Sequence, residues 1–350
     1  MRKLLLGTTA LAAAATLSAN VAVADVSISG YYEWKYQSTG SDIASNDGTT
    51  FGSDSEIAFN FSNKTDSGLD LGLTVEMFSD GDEANNTDEA SLSISGGFGK
   101  IVLGQNDGVG DNYGVASTDL PAEEIYAGSG STSGLKLYNA DINGLSGDAN
   151  KVSYHLPAMG GLTAGVSFMN SGAAGSKDST EVGARYSMDA AGANVTFGYA
   201  QGTTEGGSGV QDTDSQVVGV KVTTGNITAA ISQSTYESAA VAAANGVFSQ
   251  VTTVKTAAVT AVDQADEEST GAALSFKVND GMTVTVHTAE TEDSLTNEEY
   301  SNSGIEIAYS VAPGLSAYLN IEDYDYKVGT SNGTTADSGT ASKLTIKATF

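Results

Sequence analysis

Apolar and polar residues alternate along this chain with a period of two. Val26, Ile28, Tyr32, Trp34 and Tyr36 are interleaved with Ser27, Ser29, Glu33, Lys35 and Gln37. Alternation over that length predicts a β-strand with one apolar and one polar face. The pattern recurs in Ile57/Phe59/Phe61, Leu69/Leu71/Leu73/Val75/Met77, Leu92/Ile94 and Ile101/Leu103. After a long gap come Val152/Tyr154/Leu156, Leu162/Ala164/Val166/Phe168, Val182/Ala184/Tyr186, Val195/Phe197/Tyr199, Val218/Val220/Val222 and Ile227/Ala229/Ile231. The last rows are Ala272/Leu274/Phe276/Val278, Met282/Val284/Val286, Ile305/Ile307/Tyr309, Leu315/Ala317/Leu319/Ile321 and Leu344/Ile346/Ala348/Phe350, making sixteen in all.

The connections divide into two kinds. Short links fall at Asn63–Gly68, Ser95–Gly99, Pro157–Gly161, Asp189–Ala193, Thr223–Asn226, Asn279–Gly281 and Val311–Gly314. Alternating with them are long polar links at Ser38–Ser53, Ser79–Asp88, Gln105–Asn150, Asn170–Ser179, Gln201–Ser215, Ser232–Thr270, Thr288–Ser303 and Glu322–Ser342. Long and short links in strict alternation are the plan of an up-and-down barrel with both termini at one end. The reading is therefore all-β: a sixteen-stranded antiparallel transmembrane barrel, apolar face to lipid and polar face to a watery lumen. In lipid every backbone N–H and C=O must be paired, so the first strand is expected to meet the last.

Composition changes this picture in three places. Arg2 and Lys3, the apolar Leu4–Leu17 stretch and Ala22-Val23-Ala24 read as a cleavable export signal over residues 1–24. The barrel is then expected over 25–350, in the cell outer membrane. A formal net charge of −28 excludes nucleic-acid binding, which needs a basic face. The chain has no cysteine, so no disulfide framework holds it despite export. No nucleophile motif, phosphate loop or zinc pattern appears, and an enzyme is not expected.

Three stretches then name a family. Asn63-Lys64-Thr65-Asp66-Ser67-Gly68-Leu69-Asp70-Leu71-Gly72 resembles the second-to-third strand hairpin of alphaproteobacterial general porins. Gly96-Gly97-Phe98-Gly99-Lys100-Ile101-Val102-Leu103-Gly104 resembles the turn and fifth strand before their constriction loop. The terminal Lys343–Phe350 segment, ending in Phe350, is similar to the insertion signal that the barrel-assembly machinery reads in many outer-membrane barrels. The resemblance implies a homotrimer of three separate pores for passive diffusion of ions and small hydrophilic solutes. It also implies that the third outer loop, residues 105–150, folds inward as an eyelet.

The charges follow from these placements. On the candidate loop, Asp107, Asp111, Asp119, Glu123 and Glu124 stand against the single Lys136 and are the expected constriction carboxylates. For each, a merely solvated loop charge is the competing account. Alternation puts Lys35, Lys151, Arg185, Lys221, Lys277 and Lys347 on the lumen wall, with Glu33, Asp70, Glu76, Glu181 and Glu306. The family resemblance implies a basic cluster on the wall opposite the eyelet. This chain has Lys35 but no arginine in its first four strands, which tilts the expected selectivity toward cations.

Further acidic runs at Asp80–Glu83, Asp263–Glu268, Glu290–Asp293 and Asp323/Asp325 are expected in outer loops. Oxygen-rich clusters of this kind can hold Ca²⁺ or Mg²⁺ and bridge to lipopolysaccharide phosphates, with solvated charge as the alternative. No cofactor is otherwise called for. His155 and His287 read as lumen wall rather than metal ligands, and Ala239–Ala265 as either a short helix or a strand extension. Outward aromatics such as Tyr32, Trp34, Tyr154 and Tyr309 suit membrane–water girdles alongside outer-membrane lipid. Two rival functions remain: a substrate-specific outer-membrane channel, and a secreted acidic adhesin or surface-layer protein.

Overall fold

In the computed structural model of the chain, the described residues are 25–44, 47–78, 87–122, 126–127, 135–136, 149–170, 178–205, 212–241, 263–294, 297–327 and 336–350. Sixteen antiparallel strands close into one barrel. In chain order they are β1 (Asp25–Ser41), β2 (Gly48–Lys64), β3 (Asp70–Phe78), β4 (Ala90–Gly96), β5 (Gly99–Asn106), β6 (Ala149–His155), β7 (Leu162–Met169) and β8 (Ser179–Ala190). The second half comprises β9 (Ala193–Thr204), β10 (Thr213–Thr224), β11 (Ile227–Val241), β12 (Asp263–Asn279), β13 (Met282–Asp293), β14 (Glu298–Ala312), β15 (Leu315–Lys327) and β16 (Asp337–Thr349). Each strand pairs with its sequence neighbours, and β1 pairs with β16.

The predicted faces are the observed ones. Val166, Val182, Phe197, Val218, Ile231, Leu274, Val286 and Leu319 all present exposed apolar side chains on the outer surface. Their polar neighbours in sequence, such as Ser167, Glu181, Ser232 and Glu306, are buried on the inside. This is the reverse of a soluble protein, and it suits a barrel whose outer solvent is hydrocarbon.

Closure is continuous along the seam. Residues pair from Tyr31↔Thr349 to Ser41↔Gly339 without a register shift. At one end Gly30 and Phe350 exchange two backbone hydrogen bonds, of 2.9 and 3.3 Å. At the other, the Asp42 N–H donates to the Ser338 carbonyl at 2.8 Å. Ser41 and Ser338 hydroxyls add bonds to the Asp337 and Asp42 carboxylates. Gly339 is required here, because a Cβ at that position would lie 2.0 Å from the Gly40 carbonyl oxygen.

The ladders run further outward than the apolar rows. β1 and β2 consume much of the expected Ser38–Ser53 link, and β11 and β12 much of Ser232–Thr270. The Gln201–Ser215, Thr288–Ser303 and Glu322–Ser342 links are shortened in the same way. Apolar alternation marks only where a strand meets lipid; above the bilayer the outward face meets water while the inward side chains, such as Tyr300, Tyr326 and Glu298, are buried, and the ladder continues without that signature. Asp263–Glu268, Glu290–Asp293, Asp323 and Asp325 therefore lie on strands, not in loops. Asp80–Glu83 lies outside the described residues, as do residues 242–262 of the Ala239–Ala265 segment, whose ends extend β11 and β12.

The short connections are tight hairpins. Between β8 and β9, Ala190 pairs with Ala193, leaving Ala191 and Gly192 at φ of 52° and 83°. Two successive positive φ values define the turn that matches strand twist, and glycine or asparagine takes them at least cost. Ala191 carries a Cβ in that conformation. Ala191→Asn is expected to stabilise the barrel by about 0.5–1 kcal/mol, read as a higher urea midpoint for unfolding from detergent micelles.

Candidate pore constriction

The segment after β5 turns into the lumen. Gly108 precedes a short helix, α1 (Val109–Tyr113), and a 3₁₀ turn follows at Ser117–Asp119. Asp111 lies in the first turn of α1, where a carboxylate suits the exposed N–H groups. Gly114 ends the helix, its N–H returning to the Gly110 carbonyl at 2.8 Å. A further two-residue ladder joins Tyr126–Ala127 to Leu135–Lys136.

The wall is shaped to receive this segment. Gly165 pairs with Gly183, and Gly198 with Gly219, so four strands carry glycine at lumen-facing positions. Against them lie Val109, Tyr113 and Val115. A Cβ on Gly183 would sit 2.7 Å from the Val109 carbonyl oxygen, and one on Gly219 only 1.8 Å from that of Val115. Val109, Val115 and the wall residue Val217 are fully buried. Burying each valine contributes roughly 2 kcal/mol to holding the loop on the wall.

Polar wall residues satisfy the loop's backbone. The Val109 N–H donates to Ser167 Oγ at 3.3 Å, and the Gly110 N–H to Glu181 Oε2 at 3.3 Å. Ser167 Oγ also donates to Glu181, at 3.1 Å. The Arg185 guanidinium donates to the Gly114 carbonyl at the C-terminal end of α1, a favourable place for a cation. Further along, the Ser117 N–H donates to Ser232 Oγ at 2.8 Å. The Ala122 N–H reaches Glu306 Oε1 and Oε2 at 2.9 and 3.0 Å. Tyr113 Oη and His155 Nδ1 share a hydrogen bond of 2.8 Å.

Of the expected constriction carboxylates, Asp107, Asp111 and Asp119 are exposed. The Asp107 N–H donates to Glu89 Oε1 at 3.1 Å, tying the start of the loop to the strand wall. Asp119 Oδ2 accepts the Ala116 N–H at 3.1 Å within its own turn. Glu123 and Glu124 lie outside the described residues, and nothing is described of the Lys136 side chain.

The expected wall charges divide sharply by role. Glu33 lies between Lys35, at 2.8 Å, and Lys347, and Lys35 also reaches Asp54 at 3.3 Å. Lys347 sits over the Tyr31 ring, 4.3 Å from its centroid. Glu76 gathers with Glu56 and Asp88, their carboxylate oxygens within 4.8 Å of one another. Lys151 is buried, and Lys221 is half-buried on β10. Arg185 and Glu181, both expected as lumen charges, are taken up in fastening the loop. His287 faces Glu322 across Gly304, whose missing Cβ would otherwise lie 2.8 Å from the His287 ring nitrogen. Asn302 Nδ2 donates to the second Glu322 oxygen at 3.2 Å.

The alternation alone could not show the glycine seat, because glycine is silent in an apolar/polar count. Its signal is positional: glycine at lumen parity on β7, β8, β9 and β10 in succession.

A closed antiparallel barrel with a lipid-facing apolar exterior, and an outer loop fastened inside its lumen, defines an outer-membrane channel. The family model for Gram-negative porins matches residues 7–330, and the chain belongs to that family. Family and fold together place it in the outer membrane. No curated protein matches the sequence significantly. The anion-selective porin of Comamonas acidovorans is similar in fold, with a TM-score of 0.62 and 18% identity, over 94% of this chain and 100% of that one. The trimer form of Vibrio cholerae OmpT gives 0.63 at 14% identity, over 94% and 100%. A Rh. blastica porin variant gives 0.56 at 15%, over 93% and 100%.

If the seat positions the loop, filling it must move the loop. Gly219→Ala is expected to displace Val115 and produce noisier single-channel currents with an altered mean conductance. The barrel should remain intact, as judged by heat-modifiable migration on SDS gels.

Proposed function

We propose that the channel passes ions and small hydrophilic solutes by diffusion, with a mild preference for cations. The observation that carries this reading is the placement of the two charge signs, with acids exposed on the inward loop and bases withdrawn into the wall. Lys35 and Lys347 share Glu33, Arg185 is bonded to the loop backbone, and Lys151 is buried. Asp107, Asp111 and Asp119 are exposed on the loop, and Glu56, Glu76 and Asp88 gather on the wall. In a narrow passage poorly screened by bulk water, such an excess raises the local concentration of cations. The Comamonas neighbour is named anion-selective; at 18% identity its lumen charges do not transfer.

Export and assembly complete the reading. Residues 1–24 act as a cleaved signal peptide. Phe350, whose side chain is exposed beyond the seam, serves as the recognition end for the barrel-assembly machinery. A homotrimer is supported by the trimeric Vibrio neighbour.

The outer surface suggests a lipid partner. Above the apolar belt, β12 to β15 turn acidic on their outward face, with Glu268 opposite Glu292 and Glu292 opposite Glu299. Only Glu299 among these three has a described lysine partner, Lys327 at 2.6 Å. Like charges directly opposed across strands destabilise the ladder, and Ca²⁺ or Mg²⁺ shared with lipopolysaccharide phosphates would relieve the repulsion.

Two measurements test these readings. Reversal potentials across a KCl gradient in planar bilayers should indicate cation preference. Neutralising Asp111→Asn and Asp119→Asn should reduce the permeability ratio by up to about threefold each, the size of an unscreened interaction near 6 Å in water. An anion preference in the parent protein would overturn the reading. For the outer belt, a chelator should lower the thermal stability of lipopolysaccharide-bound protein and Mg²⁺ should restore it; an unchanged melting point would remove the metal bridge.

A further inference from the structure

From Val109, bonded to β7, to Ala122, bonded to β14, the inward loop is seated on one half of the ring. The other half runs from β15 through the seam to β6. At the seam, four lumen charges from three strands come together. Glu33 on β1 stands in the ladder between Lys347 on β16 and Asp54 on β2. Its two oxygens are divided between two ammonium groups, Oε2 to Lys35 at 2.8 Å and Oε1 to Lys347 at 2.5 Å. Lys35 also reaches Asp54 Oδ2 at 3.3 Å, and the Tyr31 hydroxyl donates to that same oxygen at 3.5 Å. Glu33 and Asp54 are like charges directly opposed across strands, a destabilising arrangement that the shared Lys35 relieves.

The exposures in this group are unequal. Glu33 is 4% exposed, whereas the Lys35 and Lys347 side chains each keep 28%. A passing ion therefore meets the lysines and never touches the carboxylate beneath them. It feels that carboxylate all the same. Screening in physiological salt acts over about 8 Å, and each ammonium lies within 3 Å of a Glu33 oxygen. At any larger distance the ion responds to the sum, and two ammonium groups with two carboxylates sum to zero. Two residues beyond Asp54, Glu56 gathers with Glu76 and Asp88. An acidic stretch of wall thus adjoins a neutral one, not a basic one.

We propose that Glu33 is a specificity-determining residue of the channel: from beneath the lumen surface it cancels Lys35 and Lys347 and so keeps the seam wall from attracting anions. The inference deepens the cation-preferring reading and rests on it for the sign of the parent current. It adds that a carboxylate out of reach of solute controls selectivity as strongly as one exposed on the loop. Counting Lys35 and Lys347 as free lumen bases gives the opposite expectation, a wall that favours anions.

The test is a set of reversal potentials in KCl gradients, with the refolded full chain in planar bilayers. Glu33→Gln keeps the side chain's shape and one acceptor oxygen but leaves the group with a net positive charge. It is expected to lower the cation-to-anion permeability ratio by about twofold to threefold, the scale of one unit charge near 6 Å in water. Glu33→Asp keeps the charge and should keep the parent ratio. Lys347→Gln should raise the ratio by a similar factor, and the double variant Glu33→Gln/Lys347→Gln, neutral again, should return it to the parent value. A purely structural role for Glu33 predicts no such compensation. If Glu33→Gln alone does not fold, the difference between Lys347→Gln and the double variant measures the same quantity. An unchanged ratio in Glu33→Gln, or a double variant that stays away from the parent value, overturns the assignment. An anion preference in the parent overturns the cation reading instead, and the shifts between variants still decide the role of Glu33.

Discussion

A backbone amide in hydrocarbon has no water to fall back on, and every other feature of this molecule follows from that. Each of the sixteen strands hydrogen-bonds to two neighbours, which is achieved only when β1 meets β16. The seam is consequently the most exacting part of the sheet. Its register is unbroken from Tyr31 to Ser41, its lower end is finished by the Gly30–Phe350 exchange, and its upper end by Asp42 and Ser338. A one-residue slip of β1 along β16 would turn Trp34 into the lumen and Glu33 toward lipid.

The same rule operates again inside the barrel. The inward loop is irregular, and its N–H groups lie against a wall rather than in open water, so the wall must supply acceptors. It does so with Ser167, Glu181, Ser232 and Glu306, all on the lumen face. Glycines make room for the approach and a guanidinium answers the helix's last carbonyls. Charged residues on the wall thus fall into two populations. Some face the passage; others are consumed in building it.

How much of this the chain announces depends on which physical signal a feature leaves. Strand number and facing were legible because lipid contact forces apolar residues onto every second position, as at Leu274/Phe276 or Ile305/Ile307. Strand length was not, since that force ends at the bilayer surface: Glu290 and Asp325 continue their ladders while reading as loop. Asp111 and Asp119 were legible as loop carboxylates from charge alone. Glu181, Arg185 and Glu306 carry the same letters as the exposed lumen charges, and only their partners separate them. The seat at Gly165, Gly183, Gly198 and Gly219 left no trace in polarity, because what matters there is an atom each residue lacks.

The seam also dictates when this protein can become itself. Ser41 and Asp337, bonded at its outer end, lie 296 positions apart in sequence. The contact that completes the ring joins the first strand to the last, so β16 must be made and delivered before the ring can close. Contacts of such sequence separation form slowly, and a partial ring has two raw edges that invite pairing with any other chain. In transit the polypeptide must stay unfolded in water, and its composition permits that. Beyond residue 24 the apolar residues are dispersed at alternate positions instead of gathered in long runs, the net charge is strongly negative, and no thiol is available to trap a wrong pairing. The alternation that makes the finished wall two-faced is therefore also what keeps the unfinished chain deliverable.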